Sequence, residues 1–93
     1  MNKTIGIIGL GPMGGIIATN LLKKNFAIVG YDIKLECRRE LEANGGTSVS
    51  SATEVADEAD VLITSLPGAL ALDTVMDDVL KSNRPDHVLI ETS

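Results

Sequence analysis

The sequence has 93 residues, of which 44% are hydrophobic, and a formal net charge of −5. This length suits one small domain rather than two, and the hydrophobic content excludes a disordered chain. The negative charge opposes binding to nucleic acid or to an anionic membrane, and two aromatic residues are too few for stacking on single-stranded nucleic acid.

The chain opens with a predicted buried strand over residues 3–8, followed by Gly9-Leu10-Gly11-Pro12-Met13-Gly14. In a G-x-G-x-x-G motif between a strand and a helix, the first glycine permits a tight turn and the second lets the backbone approach a ligand. The third lets helix and strand pack closely, and the helix directs its free N–H groups at an anion. The motif therefore predicts a site for the diphosphate of a dinucleotide.

The uncharged segment 4–22 could also be taken for a signal peptide or a membrane helix. Five glycines and Pro12 fall within residues 6–15, which is too many for a stable apolar helix. We therefore interpret this segment as a strand, a turn and a helix.

The first helix is predicted over residues 13–24 and ends at Asn25, a residue that tolerates the left-handed conformation. Its apolar positions predict a buried stripe along one side. The stripe comprises Met13, Ile16, Ile17, Ala18, Leu21 and Leu22.

The second strand is predicted over residues 26–31 and is followed by Asp32. This aspartate lies 18 positions after Gly14, near the spacing of about 20 found for the acid that binds the adenosine ribose. A carboxylate there favours NAD and repels the 2′-phosphate of NADP. The alternative role, which is compatible with the first, is that Asp32 caps the following helix.

A charged helix is predicted over residues 34–44, with Leu35 and Leu41 facing inward. We interpret Arg38 and Arg39 as a solvated face; the alternative is a cation–π or phosphate contact at the adenosine end. Cys37, the only cysteine, is interpreted as a packing residue rather than a reactive thiol. It cannot form an internal disulfide, which fits a reducing, cytoplasmic location.

Gly45 and Gly46 end that helix, and residues 47–49 form a short third strand. The S-x-x-E pattern from Ser51 to Glu54 predicts a capping box and a short helix to residue 58. A fourth strand is predicted over residues 60–66. In a doubly wound sheet its end faces the first glycine turn, so Leu66 and Pro67 are expected to line the cofactor site.

A helix is predicted over residues 69–81 and a fifth strand over residues 87–91. The acidic residues 73, 77 and 78 are interpreted as solvated, so no metal site is predicted. His87 lies at the amino end of its strand, whereas sites in such sheets lie at carboxyl ends; we therefore do not expect His87 to be catalytic.

This alternation predicts an α/β, Rossmann-like doubly wound fold. We expect one parallel sheet of five strands in the order 3-2-1-4-5, with helices on both faces. The whole of residues 1–93 is expected to form one dinucleotide-binding domain.

Several of these segments together resemble the pattern of a known protein family. The Gly-Leu-Gly-Pro-Met-Gly turn, the following Ala18-Thr19-Asn20-Leu21 and the Leu66-Pro67 pair are similar to the β-hydroxyacid dehydrogenases, which include 3-hydroxyisobutyrate dehydrogenase and 6-phosphogluconate dehydrogenase. The resemblance extends to Glu91-Thr92-Ser93, similar to the family's Asp-x-Ser-Thr, with Glu91 where aspartate is usual.

The resemblance implies that residues 9–14 hold the diphosphate and Asp32 the ribose. Asp32-Ile33-Lys34 replaces the Asn-Arg-Ser/Thr of NADP-using members, which implies that NAD is preferred and NADP is the alternative. Ser93 matches the family serine that helps to bind the substrate carboxylate.

The resemblance also implies a second, helical domain that carries the catalytic lysine, and no lysine here matches that position. We therefore expect no catalytic residue in this chain, which would bind a dinucleotide but act on a small 3-hydroxy acid only with that domain. Two alternatives stay open: a cofactor domain like that of prephenate dehydrogenase, suggested by Gly14-Gly15, and a stand-alone dinucleotide-binding or redox-sensing module.

Overall fold

A computed structural model describes residues 4–65 and the backbone of residues 88–91. Strands and helices alternate along the first of these segments, as the sequence predicts, each within a few residues of its expected ends. The strands are β1 (Thr4–Ile8), β2 (Ala27–Tyr31), β3 (Thr47–Ser48), β4 (Val61–Thr64) and β5 (Val88–Glu91), and the helices are α1 (Pro12–Lys23), α2 (Leu35–Ala43) and α3 (Ala52–Glu58).

The strands form one parallel sheet in the order β3-β2-β1-β4-β5. The central strand β1 pairs with β2 from Thr4 opposite Ala27 to Ile8 opposite Tyr31, and with β4 on its other side. Since β2 and β3 lie on one side of β1 and β4 on the other, the strand order reverses between β1 and β4. The predicted order 3-2-1-4 and the Rossmann-like α/β architecture are confirmed, and β5 pairs with β4.

Helices cover both faces of the sheet, as predicted, and each face has its own apolar core. On one face α3 packs through Val55, Ala56 and Ala59 on Ile8, Val29 and Leu62. On the other, α1 and α2 pack on Ile5, Ile7, Ile28 and Ile63. Alternate residues of each strand point to opposite faces, and burial of both faces explains why these strands are continuously apolar.

Helix α1 buries a narrower line of residues than the sequence predicts. Its fully buried residues are Gly14 and Ala18, whereas Met13 is 55% and Ile16 63% exposed. The prediction that Met13 and Ile16 belong to the buried stripe is therefore wrong. Gly14 and Ala18 face the sheet, and at about 100° per residue Ile16 lies about 160° around the helix from both of them, so it points away from the sheet.

Helix α1 ends in a left-handed residue, as predicted. Asn25 has a φ of 68°; its N–H donates to the carbonyl of Leu22, and that of Phe26 donates to the carbonyl of Leu21. These two bonds form a Schellman motif, which stops the helix and starts β2.

Helix α2 ends in the same way at Gly45, whose φ is 100°. Its anchor is Leu41, which is 4% exposed and lies against the backbone of Gly30 and Gly46. Leu35, in contrast, is 49% exposed, so the prediction that it faces inward is wrong: it occupies the first position of the helix, outside the contact with the sheet.

The capping box of α3 forms only in part. The N–H of Glu54 donates to Oγ of Ser51 at 3.2 Å, as predicted. The Glu54 carboxylate, however, accepts from Oγ of Ser50 at 2.6 Å, so the reciprocal arm of the motif goes to the preceding serine.

Several predicted features lie outside the described residues. They are the helix over residues 69–81, its acidic positions 73, 77 and 78, Leu66, Pro67, His87 and Ser93. Within the described parts of the chain, no helix has the length and apolar character needed to cross a membrane.

Cys37 is half-buried and packs against the core between α1 and α2. Burial raises the pKa of its thiol, and the nearby carboxylates of Asp32 and Glu40 raise it further. Both effects disfavour the thiolate, which is the reactive form. This agrees with the interpretation of Cys37 as a packing residue.

We expect Cys37 to react with iodoacetamide at pH 8 more slowly in the folded chain than in the urea-unfolded chain. Because folding raises the pKa of the thiol, burial of the neutral thiol contributes stability that is complete below the pKa of the thiol in the unfolded chain. This contribution is lost as the pH rises through the pKa of the thiol in the folded chain. Cys37→Ser should remove this part of the pH dependence. Equal alkylation rates in both states would contradict the assignment.

Asn25→Ala should lower the free energy of unfolding in urea by about 1 kcal/mol, because alanine pays the full steric cost of the left-handed conformation. Asn44→Ala is the matched control, since Asn44 also ends a helix but has a φ of −92°. Its effect should stay within about 0.5 kcal/mol. Equal losses at the two asparagines would count against a conformational role for Asn25.

Candidate functional site

The predicted glycine turn joins β1 to α1 at the carboxyl edge of the sheet. Gly9 has a φ of 95°, a conformation that glycine adopts readily. Its N–H donates to the carbonyl of Tyr31 at 2.9 Å, which extends the pairing of β1 with β2 by one residue. The first glycine is therefore required by the turn itself.

The third glycine of the motif is required by packing. A Cβ on Gly14 would overlap the carbonyl oxygen of Gly9 and would lie 3.5 Å from Cβ of Ser65. The first turn of α1 thus rests directly on the end of β1 and beside the end of β4. Any side chain at position 14 would push the helix off the strand.

The second glycine faces open space. A Cβ on Gly11 would have no described atom within 4 Å, so the backbone here is accessible to a ligand. Gly11 is also the N-cap of α1, which has no side-chain capping bond and no acidic residue in its first turn. The positive end of the helix dipole is therefore available to an anion.

The amide groups at this helix end are also available. Pro12 has no N–H, and the first N–H to enter the helical pattern is that of Gly15, which donates to the carbonyl of Gly11 at 2.7 Å. Among residues 4–65 no acceptor takes a hydrogen bond from the N–H groups of Met13 and Gly14. Two donors and a helix dipole thus converge on the space beside Gly11.

Leu10 contributes differently from its neighbours. Its side chain is 5% exposed and belongs to the core beneath α1 and α2. Its N–H donates to Oδ2 of Asp32 at 2.7 Å. Only the remaining backbone of Leu10 can therefore face a ligand.

Asp32 lies beside the glycine turn, as the sequence predicts. Its carboxylate accepts from the N–H of Leu10 through Oδ2 and from the N–H of Lys34 through Oδ1 at 2.8 Å. The N-cap residue of α2 is Lys34, so Asp32 precedes the cap and forms an Asx turn with it. Asp32 is therefore not the N-cap of α2, as the alternative prediction had it; it binds the backbone N–H of Lys34, which is the N-cap residue.

Arg38 does not lie on a solvated helix face, contrary to the prediction from the sequence. Its guanidinium carbon lies 5.5 Å from the centroid of the Tyr31 ring, within the range of a cation–π contact, and the residue is half-buried. Arg39 is exposed, as expected. Arg38 is therefore engaged with the end of β2.

Sequence reasoning missed Ser65. Its N–H donates to the carbonyl of Ile8 at 2.9 Å, and its Cβ lies against Gly14, at the point where the strand order reverses. The signal was present, because Ser65 is the polar residue that follows the apolar run of β4. The predicted neighbours Leu66 and Pro67 lie outside the described residues, as does Ser93; Glu91 ends β5 opposite Thr64.

A separate groove of about 530 Å³ lies between α1 and α2. It touches Gly11 and Pro12, but most of its lining comes from the helices, through residues such as Ile16, Cys37 and Glu40. It includes neither Asp32 nor Ser65. The strand ends, where donors and helix dipole converge, are therefore better suited to an anionic ligand than this groove is. In the described segments, no three histidine, cysteine, aspartate or glutamate side chains lie close enough together to hold a metal ion.

Comparison with known proteins identifies relatives along the whole sequence. A family model described as the NAD-binding domain of 6-phosphogluconate dehydrogenase matches residues 4–93. A probable mitochondrial 3-hydroxyisobutyrate dehydrogenase of Dictyostelium discoideum is 36% identical over 99% of the chain, which spans 30% of that relative. The chain therefore covers about a third of the length of the relatives it matches.

Solved structures agree. The structure of Mycobacterium tuberculosis 3-hydroxyisobutyrate dehydrogenase with L-serine matches all of this chain with a TM-score of 0.94 and 34% identity, over 32% of its own length. An imine reductase of Streptomyces aurantiacus has a TM-score of 0.88 at 22% identity, over 98% of this chain and 32% of its own, which shows the shared fold alone. By its sequence match and its fold, the chain belongs to the family of the NAD-binding domain of 6-phosphogluconate dehydrogenase and is similar to the N-terminal part of 3-hydroxyisobutyrate dehydrogenases.

Proposed function

We propose that this chain is the NAD-binding part of an oxidoreductase that transfers a hydride between a nicotinamide cofactor and a small 3-hydroxy acid. The observation that carries the proposal is the glycine turn at the point where the sheet order reverses. There an exposed backbone, an uncapped helix end and a carboxylate lie together, and in open α/β sheets this is where ligands bind.

The residues present suit the diphosphate of a dinucleotide. Gly11 leaves space for the phosphates, and the N–H groups of Met13 and Gly14 would donate to their oxygens. Pro12 would stiffen the loop without adding a donor. Because the whole chain is acidic, backbone dipoles rather than basic side chains would hold the anion.

Asp32 would bind the adenosine ribose, and its charge favours NAD over NADP. A carboxylate that accepts one N–H on each oxygen still has lone pairs left for the ribose hydroxyls. Arg38 would soften this preference, because a guanidinium that lies 5.5 Å from the centroid of the Tyr31 ring keeps its N–H donors for a 2′-phosphate. NADP is the alternative cofactor.

The substrate class is suggested by the names of relatives. 3-Hydroxyisobutyrate and L-serine, named with the M. tuberculosis structure, both carry a hydroxyl on the carbon β to the carboxylate. When bound, the nicotinamide ring would give or accept the hydride. Within this chain, Leu66 and Pro67 would line the cofactor site and Ser93 would bind the substrate carboxylate.

A catalytic residue and the rest of the substrate pocket would come from sequence outside these 93 residues, in a helical domain. The relatives named above favour this proposal over a prephenate dehydrogenase-like domain and over a stand-alone redox-sensing module. A cytoplasmic location remains a prediction, and several relatives are named as mitochondrial.

Gly11→Ala should weaken NAD binding at least tenfold while leaving the fold intact. The added methyl group meets none of the atoms that the structure describes, so it would occupy space meant for the diphosphate. Binding is measured by calorimetry and folding by urea titration.

Gly15→Ala is the matched control, because among residues 4–65 its Cβ would meet only the carbonyl oxygen of Leu10, at an ordinary 3.5 Å. It should bind NAD as the parent chain does, and alanine in the helix should raise stability slightly. Equal losses of affinity in both variants would argue against a diphosphate beside Gly11.

Asp32→Ala should weaken NAD binding and narrow the difference in affinity between NAD and NADP, because it removes both a ribose acceptor and a charge that repels the 2′-phosphate. Both cofactors are titrated by calorimetry. Glu58→Ala, which removes one negative charge from the end of α3, should leave the ratio of the two affinities unchanged. An unaltered NAD affinity in Asp32→Ala would refute the ribose role.

A further inference from the structure

The carboxylate of Asp32 is hydrogen-bonded to the backbone of the glycine turn within the chain itself. The distance from the Leu10 nitrogen to Oδ2 is 2.7 Å, at the short end for a charge-assisted N–H···O bond. The two residues are 22 positions apart in the sequence. The bond therefore links the end of β2 to the turn that follows β1.

The other carboxylate oxygen is held as well. Oδ1 accepts from the N–H of Lys34 at 2.8 Å, and Lys34 is the N-cap of α2. With both oxygens engaged, the side chain has one orientation, set by the backbone on either side of it. Asp32 thus connects the glycine turn to the start of α2.

Leu10 is the right residue for such a connection. It lies between Gly9, which has a positive φ, and Gly11, the N-cap of α1, so two flexible positions flank it. Its side chain is fixed in the core, and its N–H is fixed by Asp32. These two contacts hold a turn that glycine alone would leave free to vary.

We propose that Asp32 is a positioning residue for the diphosphate site: its bond to Leu10 holds the glycine turn in the shape that exposes the amides of Met13 and Gly14. This rests on the proposed function and adds to the ribose role. One carboxylate then serves both ends of the adenosine diphosphate. A 2′-phosphate that pushed Asp32 aside would also release Leu10, so discrimination against NADP would reach the diphosphate site.

The bond is tested without ligand by amide hydrogen exchange, measured by NMR on the 15N-labelled chain. Asp32→Ala should accelerate exchange of the Leu10 amide by about tenfold or more, as expected for loss of a hydrogen bond to a charged acceptor. Unchanged exchange at Leu10 in a folded Asp32→Ala chain would overturn the proposal.

Asp60 provides a matched control at the opposite edge of the sheet. Its Oδ2 accepts from the N–H of Thr4 at 2.9 Å, so it too joins a carboxylate to β1. Asp60→Ala should accelerate exchange of Thr4 and not of Leu10, and Asp32→Ala should do the reverse. Equal acceleration of both amides in either variant would mean a general loss of stability and would overturn the assignment.

The effect on the diphosphate site is tested with inorganic pyrophosphate, which has no ribose. Asp32→Ala should weaken pyrophosphate binding several-fold, measured from the amide shifts of Gly11, Met13 and Gly14, and Asp60→Ala should not. Removing a negative charge near an anion would by itself strengthen binding, so a loss has the opposite sign to a simple charge effect. Unchanged or tighter pyrophosphate binding with weaker NAD binding would restrict Asp32 to the ribose and overturn the proposal.

Asp32→Asn covers the case in which the alanine variant does not fold. An amide has one acceptor oxygen, so it can serve Leu10 or Lys34 but not both; faster exchange at one of them supports the proposal, and no change at either overturns it. A parent chain that bound neither NAD nor pyrophosphate would refute the proposed function, while the exchange of Leu10 would still decide whether Asp32 holds the turn.

Discussion

The close approach of Gly14 to the carbonyl of Gly9 is the constraint on which the site depends. It sets the first turn of α1 against the end of β1, so the N-terminal end of the helix points across the carboxyl edge of the sheet. It also brings Gly14 beside Ser65, where β4 ends on the far side of the reversal. The helix dipole, the open backbone at Gly11 and the end of β4 share one location because no side chain separates helix from strand at this point.

The same constraint decides which face of α1 meets the sheet. On a helix that turns by about 100° per residue, Met13 and Ile16 point away from the face that carries Gly14 and Ala18. Here Gly14 and Ala18 occupy the contact, and the larger residues at positions 17, 21 and 22 pack at its margins. The close approach of α1 to β1 places the end of the helix at the carboxyl edge of the sheet, while the side chains of Met13 and Ile16 stay exposed to solvent. The apolar residues extend around most of α1, so they alone do not reveal which face of the helix meets the sheet.

Other features were predictable because their causes are local or repeat along the chain. The glycine spacing, the left-handed stop at Asn25, the cap at Ser51 and the order of the first four strands all follow from turn chemistry and from the alternation of strands and helices. Asp32 was predicted at the correct end of the correct strand. Its bond to Leu10 was not, because the spacing of a ribose-binding acid is the same whether or not that acid also holds the turn. Ser65 was missed because its role arises only from the meeting of β4 and α1, which are distant in sequence.

The two-residue length of β3 has a consequence for the behaviour of the chain in solution. This strand forms one border of the sheet, where a long, regular strand would present a row of unpaired amides and carbonyls to other molecules. Thr47 and Ser48 pair with Val29 and Gly30, and the chain then bends away into α3. So short a border gives little template for intermolecular strand addition, which protects a strongly aliphatic sheet from aggregation along that side.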